Sequence, residues 1–258
     1  MILFLFLSRL GVGIAVTLAF VSRSAGVKFF RFNAGLAAIL LAIGLALRHD
    51  GAQGIALGIS TAAVIVYWAT VGRALARIRP AIVGVGVAAG LIALILQAIA
   101  MTAGRPAPAQ ALAAISFLSS AALLGGACTA MILGHWYLVI PSLEVRHLQS
   151  IVKWHIASLA LRVAVVAAVA YAAAALWPAA AEGAPSFRHY ITSIDGIFFW
   201  QRVLFGLAAP SLLSYLTWET AKIRSTQSAT GILYVDLFTV VVGEVLAGYL
   251  LLATGVPL

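Results

Sequence analysis

Charge is scarce in this 258-residue chain: Asp, Glu, Lys and Arg make up 9% of it, and only seven residues are acidic. An ordinary soluble domain carries about 25% charged residues. With hydrophobic residues at 64%, too few polar side chains remain to cover a water-facing surface, so a soluble domain is excluded. The single cysteine, Cys128, lies in an apolar stretch. That excludes intrachain disulfides, four-Cys iron–sulfur clusters and covalent CxxCH haem attachment. No metal-ligand spacing and no nucleotide-binding motif is present, and no polar run is long enough for a separate domain. The N-terminal apolar run lacks a basic leader and carries Arg9 in its middle, so it reads as a retained helix rather than a signal peptide.

What the chain does have is apolar runs of about 20 residues, the length that spans a bilayer as a helix. They predict spans at 2–21, 30–48, 54–73, 81–103, 109–138, 150–177, 197–218 and 231–253, set apart by Gly51, Gly54, Pro80, Gly104, Pro106, Pro141, Pro178 and Gly231. The expected fold is an all-α, polytopic bundle of about eight transmembrane helices, one integral membrane domain over 1–258 without a soluble domain.

The net charge of +9 would suggest nucleic acid in a soluble protein. Here the basic residues are scattered through interhelical loops, where retention of Lys and Arg on the cytoplasmic side explains them and no nucleic-acid partner is implied. The odd-numbered loops hold ten of them (Arg23, Lys28, Arg31, Arg73, Arg77, Arg79, Arg146, Lys153, Lys222, Arg224) and the even-numbered loops three (Arg48, Arg105, Arg188). The bias predicts both termini on the outer side of a bacterial inner membrane. The connection from Pro178 to Gly196 is the longest, a candidate lid or docking loop.

Ionisable side chains within the spans are costly, roughly 2.5–3.5 kcal/mol each at mid-membrane, and therefore informative. Asp236 and Glu244 share the last span and must each be neutralised by a proton or met by a cation; Arg9 and Arg162 are the available cations. They are either an ion-pair network that fixes helix register or a proton route, with Glu244 expected nearer the bilayer centre. His155 and Arg162, seven residues apart, share one face of the sixth span. His135, in GHWYLVIP at the end of the fifth, is expected at a similar depth to His155. The two histidines could bond a quinone oxygen or, as the weaker alternative, clasp a b-type haem. On the seventh span, Pro210 predicts a kink with Ser211 and Ser214 re-satisfying the freed backbone. Asp195 and Arg202 are expected to pair with each other, and Glu219 to pair with Lys222 or Arg224 at the interface. Gly84, Gly86, Gly90, Gly125 and Gly126 mark packing faces.

The last span, TGILYVDLFTVVVGEVLAGYLLL, resembles the closing helix of the membrane anchor subunits of dimethyl sulfoxide reductase-type, quinol-interacting respiratory enzymes. The likeness lies in the buried Gly243-Glu244 pair and extends to the eight-span topology with both termini outside; Tyr249 departs from it, where that family tends to carry arginine. The resemblance implies a quinone-interacting subunit of a bacterial respiratory or photosynthetic electron-transfer complex, not catalytic alone, with redox subunits and membrane lipid as partners. His135, His155 and Arg162 are the candidate quinone contacts, and Asp236 and Glu244 the candidate proton route. A transporter of a small solute, with Arg9 and Arg162 as binding cations, is the competing expectation, and a structural accessory subunit the third.

Overall fold

Lipid offers no hydrogen-bond partner to the backbone, so a chain this apolar satisfies its N–H and C=O groups within helices. The computed structural model describes residues 1–140, 144–175 and 186–258, and every regular element among them is helical. In order these are α1 (Ile2–Thr17), α2 (Gly26–Leu47), α3 (Gly51–Thr70), α4 (Arg79–Met101), α5 (Ala107–Val139), α6 (Arg146–Ala175), a short α7 (Phe187–Thr192), α8 (Ile197–Val203), α9 (Ala209–Lys222) and α10 (Thr226–Thr254). A π-helical turn, Leu204–Ala208, joins α8 to α9, so that Ile194–Lys222 forms one membrane-length rod.

Seven helices among the described residues are long and apolar enough to cross a bilayer, not eight. The exception is α1, whose 16 residues rise about 24 Å against a hydrocarbon core of about 30 Å. It falls short because the chain leaves the helix at Leu18 to enter the turn towards Arg23, whereas the apolar run continues to Val21. α1 is instead an interior helix, packed against α2, α4, α5 and α10. Its contact with α5 is as close as backbones allow: a Cβ on Gly13 would lie 2.0 Å from the Ala121 carbonyl oxygen, and one on Gly125 2.2 Å from the Gly13 carbonyl carbon. Gly86, Gly90 and Gly126 also sit against neighbouring helices, whereas Gly84 faces open space.

The loops sort by side. At one end, the Ser24 hydroxyl meets His147 Nε2 at 2.6 Å, Val27 packs under Gly72, and Gln149 donates to the Ala221 carbonyl. At the other, Arg48 reaches the Met1 sulfur, Ile2 packs against Gly248, and Arg105 lies beside Gly255. Odd-numbered connections therefore gather at one end and the even-numbered ones, with both chain ends, at the other. α5, α6, α8–α9 and α10 form a four-helix unit in which α5 and α9 each pack on both α6 and α10. That places α6 and α10 diagonally across the unit, joined by side chains that meet at its centre. Part of the connection from Pro178 to Gly196 lies outside the described residues; α7, within it, buries Phe187 against Phe199.

Candidate functional site

Two polar layers cross the centre of that unit, both on the α6–α10 diagonal. In the first, Glu244 Oε1 accepts from Arg162 Nε and Oε2 from Arg162 Nη2, each at 2.9 Å, a bidentate pair. Arg202 Nη2 donates to Oε1 at 2.7 Å, and the Ser120 hydroxyl donates to Oε2. Arg162 Nη1 reaches the Ser116 carbonyl and hydroxyl and the Ser119 hydroxyl, and Nη2 also reaches the Leu258 carbonyl oxygen. All of the Arg162 guanidinium nitrogens are thus committed. Arg9 stacks over the Phe117 ring at 3.7 Å, close enough to feel the charge of Glu244. Arg9, Arg162, Arg202 and Glu244 are all buried, so three guanidinium groups surround one acidic side chain in this layer.

Arg202 therefore does not pair with Asp195. Asp195 is exposed, while Arg202 points inward from α8. What carries it there is the π turn: Pro210 has no N–H to offer the Gly206 carbonyl four residues earlier, and the helix widens over Leu204–Ala208 instead. Ser211 donates to the Leu207 carbonyl at 2.7 Å, not to that of Gly206, and Ser214 Oγ has no partner among the described residues. Gly206 then lies against Gly243 so closely that a Cβ on Gly243 would fall 2.2 Å from the Gly206 Cα. Glu219 pairs with Lys222 at 2.7 Å, exposed at the helix end.

In the second layer, His155 Nε2 lies 2.6 Å from Asp236 Oδ2, and neither residue is accessible to solvent. The approach is off the N–H axis, a close contact rather than an aligned hydrogen bond. His155 Nδ1 and Asp236 Oδ1 have no hydrogen-bond partner among the described residues. Buried polar atoms are usually satisfied, so an orphaned imidazole nitrogen beside a carboxylate is a chemically open position, one of several buried polar groups without partners among the described residues, with Gln97, Arg202 Nη1 and Ser214 Oγ.

Asp236 and Glu244 are about 12 Å apart along α10, and Leu123, Leu124, Leu159 and Val240 form an apolar cluster on the helix surfaces between the two layers. α10 begins at Thr226, earlier than the apolar run suggests, so each carboxylate is ten residues from its nearer helix end. Glu244 is no deeper than Asp236.

The two histidines are not brought together. His135 is exposed, its Nδ1 3.0 Å from the Tyr234 hydroxyl, whereas His155 meets Asp236. Tyr234 and Asp236 point in nearly opposite directions from α10, being two residues apart at 100° each. A haem ligated by both does not fit this arrangement. Among the described residues no group of three or more His, Cys, Asp or Glu side chains is placed to hold a metal ion. No protein-family model, no curated protein and no solved structure matches the chain.

Ser116, Ser119 and Ser120 are site residues not singled out from the sequence, and Arg202 is one that was expected at Asp195 instead. The serines carried a usable signal: the spacing i, i+3, i+4 puts three hydroxyls on one face of an otherwise apolar helix.

Proposed function

We propose that this protein is a quinone-interacting integral membrane subunit of a bacterial electron-transfer complex, and that His155 with Asp236 forms its quinol contact. The observation that carries the reading is the orphaned Nδ1 of a fully buried histidine whose other nitrogen lies 2.6 Å from a carboxylate oxygen. Bound quinol would give two electrons to metal-centred acceptors on partner chains and release two protons, one to His155 and the other to the aqueous phase. His155 accepts a hydrogen bond from the quinol hydroxyl at Nδ1 and then holds its proton. Asp236 orients the ring and stabilises the imidazolium. Arg162, committed to Glu244, is a scaffold residue here rather than a quinone contact, and the Glu244 layer locks the register of α5, α6, α8 and α10. The charge bias orients the bundle with both termini on the outer face of the inner membrane.

A short-chain benzoquinone or naphthoquinone titrated into the purified protein tests the contact. Quinones quench tryptophan emission, and Trp154 adjoins His155 in the chain and stacks on Phe20 at 4.4 Å. His155→Gln is expected to weaken binding about tenfold, the worth of one hydrogen bond of about 1.4 kcal/mol. His135→Gln is expected to leave it unchanged. Equal affinities in all three proteins would remove His155 from the site.

A second reading, transport of a small anion, is favoured by the excess of guanidinium groups over acidic side chains in the Glu244 layer. Anion uptake into proteoliposomes that is abolished by Arg9→Gln, with quinone binding absent, would establish it over the first.

A further inference from the structure

A groove of about 560 Å³ runs down the membrane-facing side between α2 and α3, lined by Arg31, Phe32, Leu36, Ile39, Ile65 and Trp68 among others. Below Arg31 its walls are apolar. Gly35 opens it: the Trp68 indole nitrogen lies 2.9 Å from where a Cβ would stand. From Arg31 to Ala42, the deepest lining residue on α2, the groove is about 16 Å long at the helical rise. Phe32, Ile39, Ile65 and Trp68 are exposed on it, so whatever fills it enters from the bilayer.

At its mouth the Arg31 guanidinium lies 5.7 Å from the Trp68 ring centroid and makes no hydrogen bond or ion pair among the described residues. Around it are the two connections that Val27 and Gly72 bring into contact. Residues 18–31 and 71–81 contribute Arg23, Lys28, Arg31, Arg73, Arg77 and Arg79, and no acidic residue. Retention of basic residues on one side would produce such a bias without any ligand. It would not place an arginine and an interfacial tryptophan at the head of an acyl-sized apolar groove.

We propose that this groove is a binding site for an anionic phospholipid, with the acyl chain along Leu36, Ile39 and Ile65 and the phosphate at Arg31, within the field of the other five cations. The site lies on the α2–α3 face, away from the His155–Asp236 couple, and does not depend on the quinone reading.

The test is retention of phosphatidylglycerol against phosphatidylcholine of identical acyl chains, measured by native mass spectrometry of the full chain purified in mild detergent. Wild type is expected to keep phosphatidylglycerol at least fivefold more than phosphatidylcholine. Arg31→Gln is expected to reduce that preference to near unity, and Arg224→Gln, in the last loop, to preserve it. Ala42→Trp, at an exposed lining position, fills the lower groove and is expected to lower retention of both lipids. Equal retention of the two lipids by wild type, as an occupant held by its apolar tail alone would give, overturns the proposal. So does an unchanged preference in Arg31→Gln.

Discussion

At the scale of single residues, the molecule is held by contacts that tolerate no added atom and by charges that tolerate no lost partner. Gly206 and Gly243 leave no room for a methyl group between α10 and the π turn. Gly243→Ala is expected to cost about 1–3 kcal/mol through forced separation of the helices, seen as a lower melting temperature in detergent. Some of this was legible in the sequence. A charge inside an apolar span must find a partner, and that rule alone marked Arg162, Asp236, Glu244 and His155. It did not say which would meet. Asp195 and Arg202 share a helix face on paper, but a charged residue near the end of a span can turn to solvent or inward, and the choice depends on a neighbouring helix. Here the neighbour was Glu244.

At the scale of elements, the π turn sets the position of Arg202. A π turn holds one residue more than the α-helical turn it replaces, so deleting one residue there keeps both flanks in register, with a bend in place of the widened turn to accommodate Pro210. Deletion of Phe205, which is exposed, is expected to preserve the Arg202–Glu244 pair and give a monodisperse protein. Deletion of Leu213, in the regular part of α9, rotates one flank by about 100° and is expected to give aggregated or unfolded material. Size-exclusion profiles of the two variants check this. The breaker, Pro210, was readable in the sequence, but Ser211 meets the Leu207 carbonyl rather than the Gly206 carbonyl that Pro210 leaves free. The π geometry was not readable, because a missing N–H can be accommodated by a bend as well as by a widened turn.

At the scale of the whole molecule, the unbroken apolar runs of about 20 residues pointed to an all-α membrane bundle, because a closed β-barrel, the other arrangement that satisfies the backbone in lipid, alternates apolar and polar residues along its strands. The number of full-length spans was not legible in the same way: apolar character counts residues, not where the chain turns, and α1 ends four residues before its apolar run does. Nor could apolar periodicity place α6 and α10 on a diagonal, which is what makes their long polar side chains meet. The gathering of odd-numbered loops at one end gives the charge bias a structural counterpart. Reporters fused after Arg31, Arg77, Arg146 and Arg224 are expected to be active in the cytoplasm, and those after Asp50, Arg105 and Glu182 outside; one reversed position would break the assignment of sides. The two polar layers divide the work in this account: the Glu244 layer holds the bundle and the Asp236 layer does the chemistry. Melting temperature and quinone affinity, measured together on Asp236→Asn and Glu244→Gln, test that division most directly. Glu244→Gln leaves two buried guanidiniums without their anion and is expected to lose about 3–5 kcal/mol of stability, with the affinity of the protein that remains folded unchanged. Asp236→Asn is expected to keep most of the stability and lose at least tenfold in affinity; the reverse pattern, affinity lost in Glu244→Gln and kept in Asp236→Asn, would contradict the account.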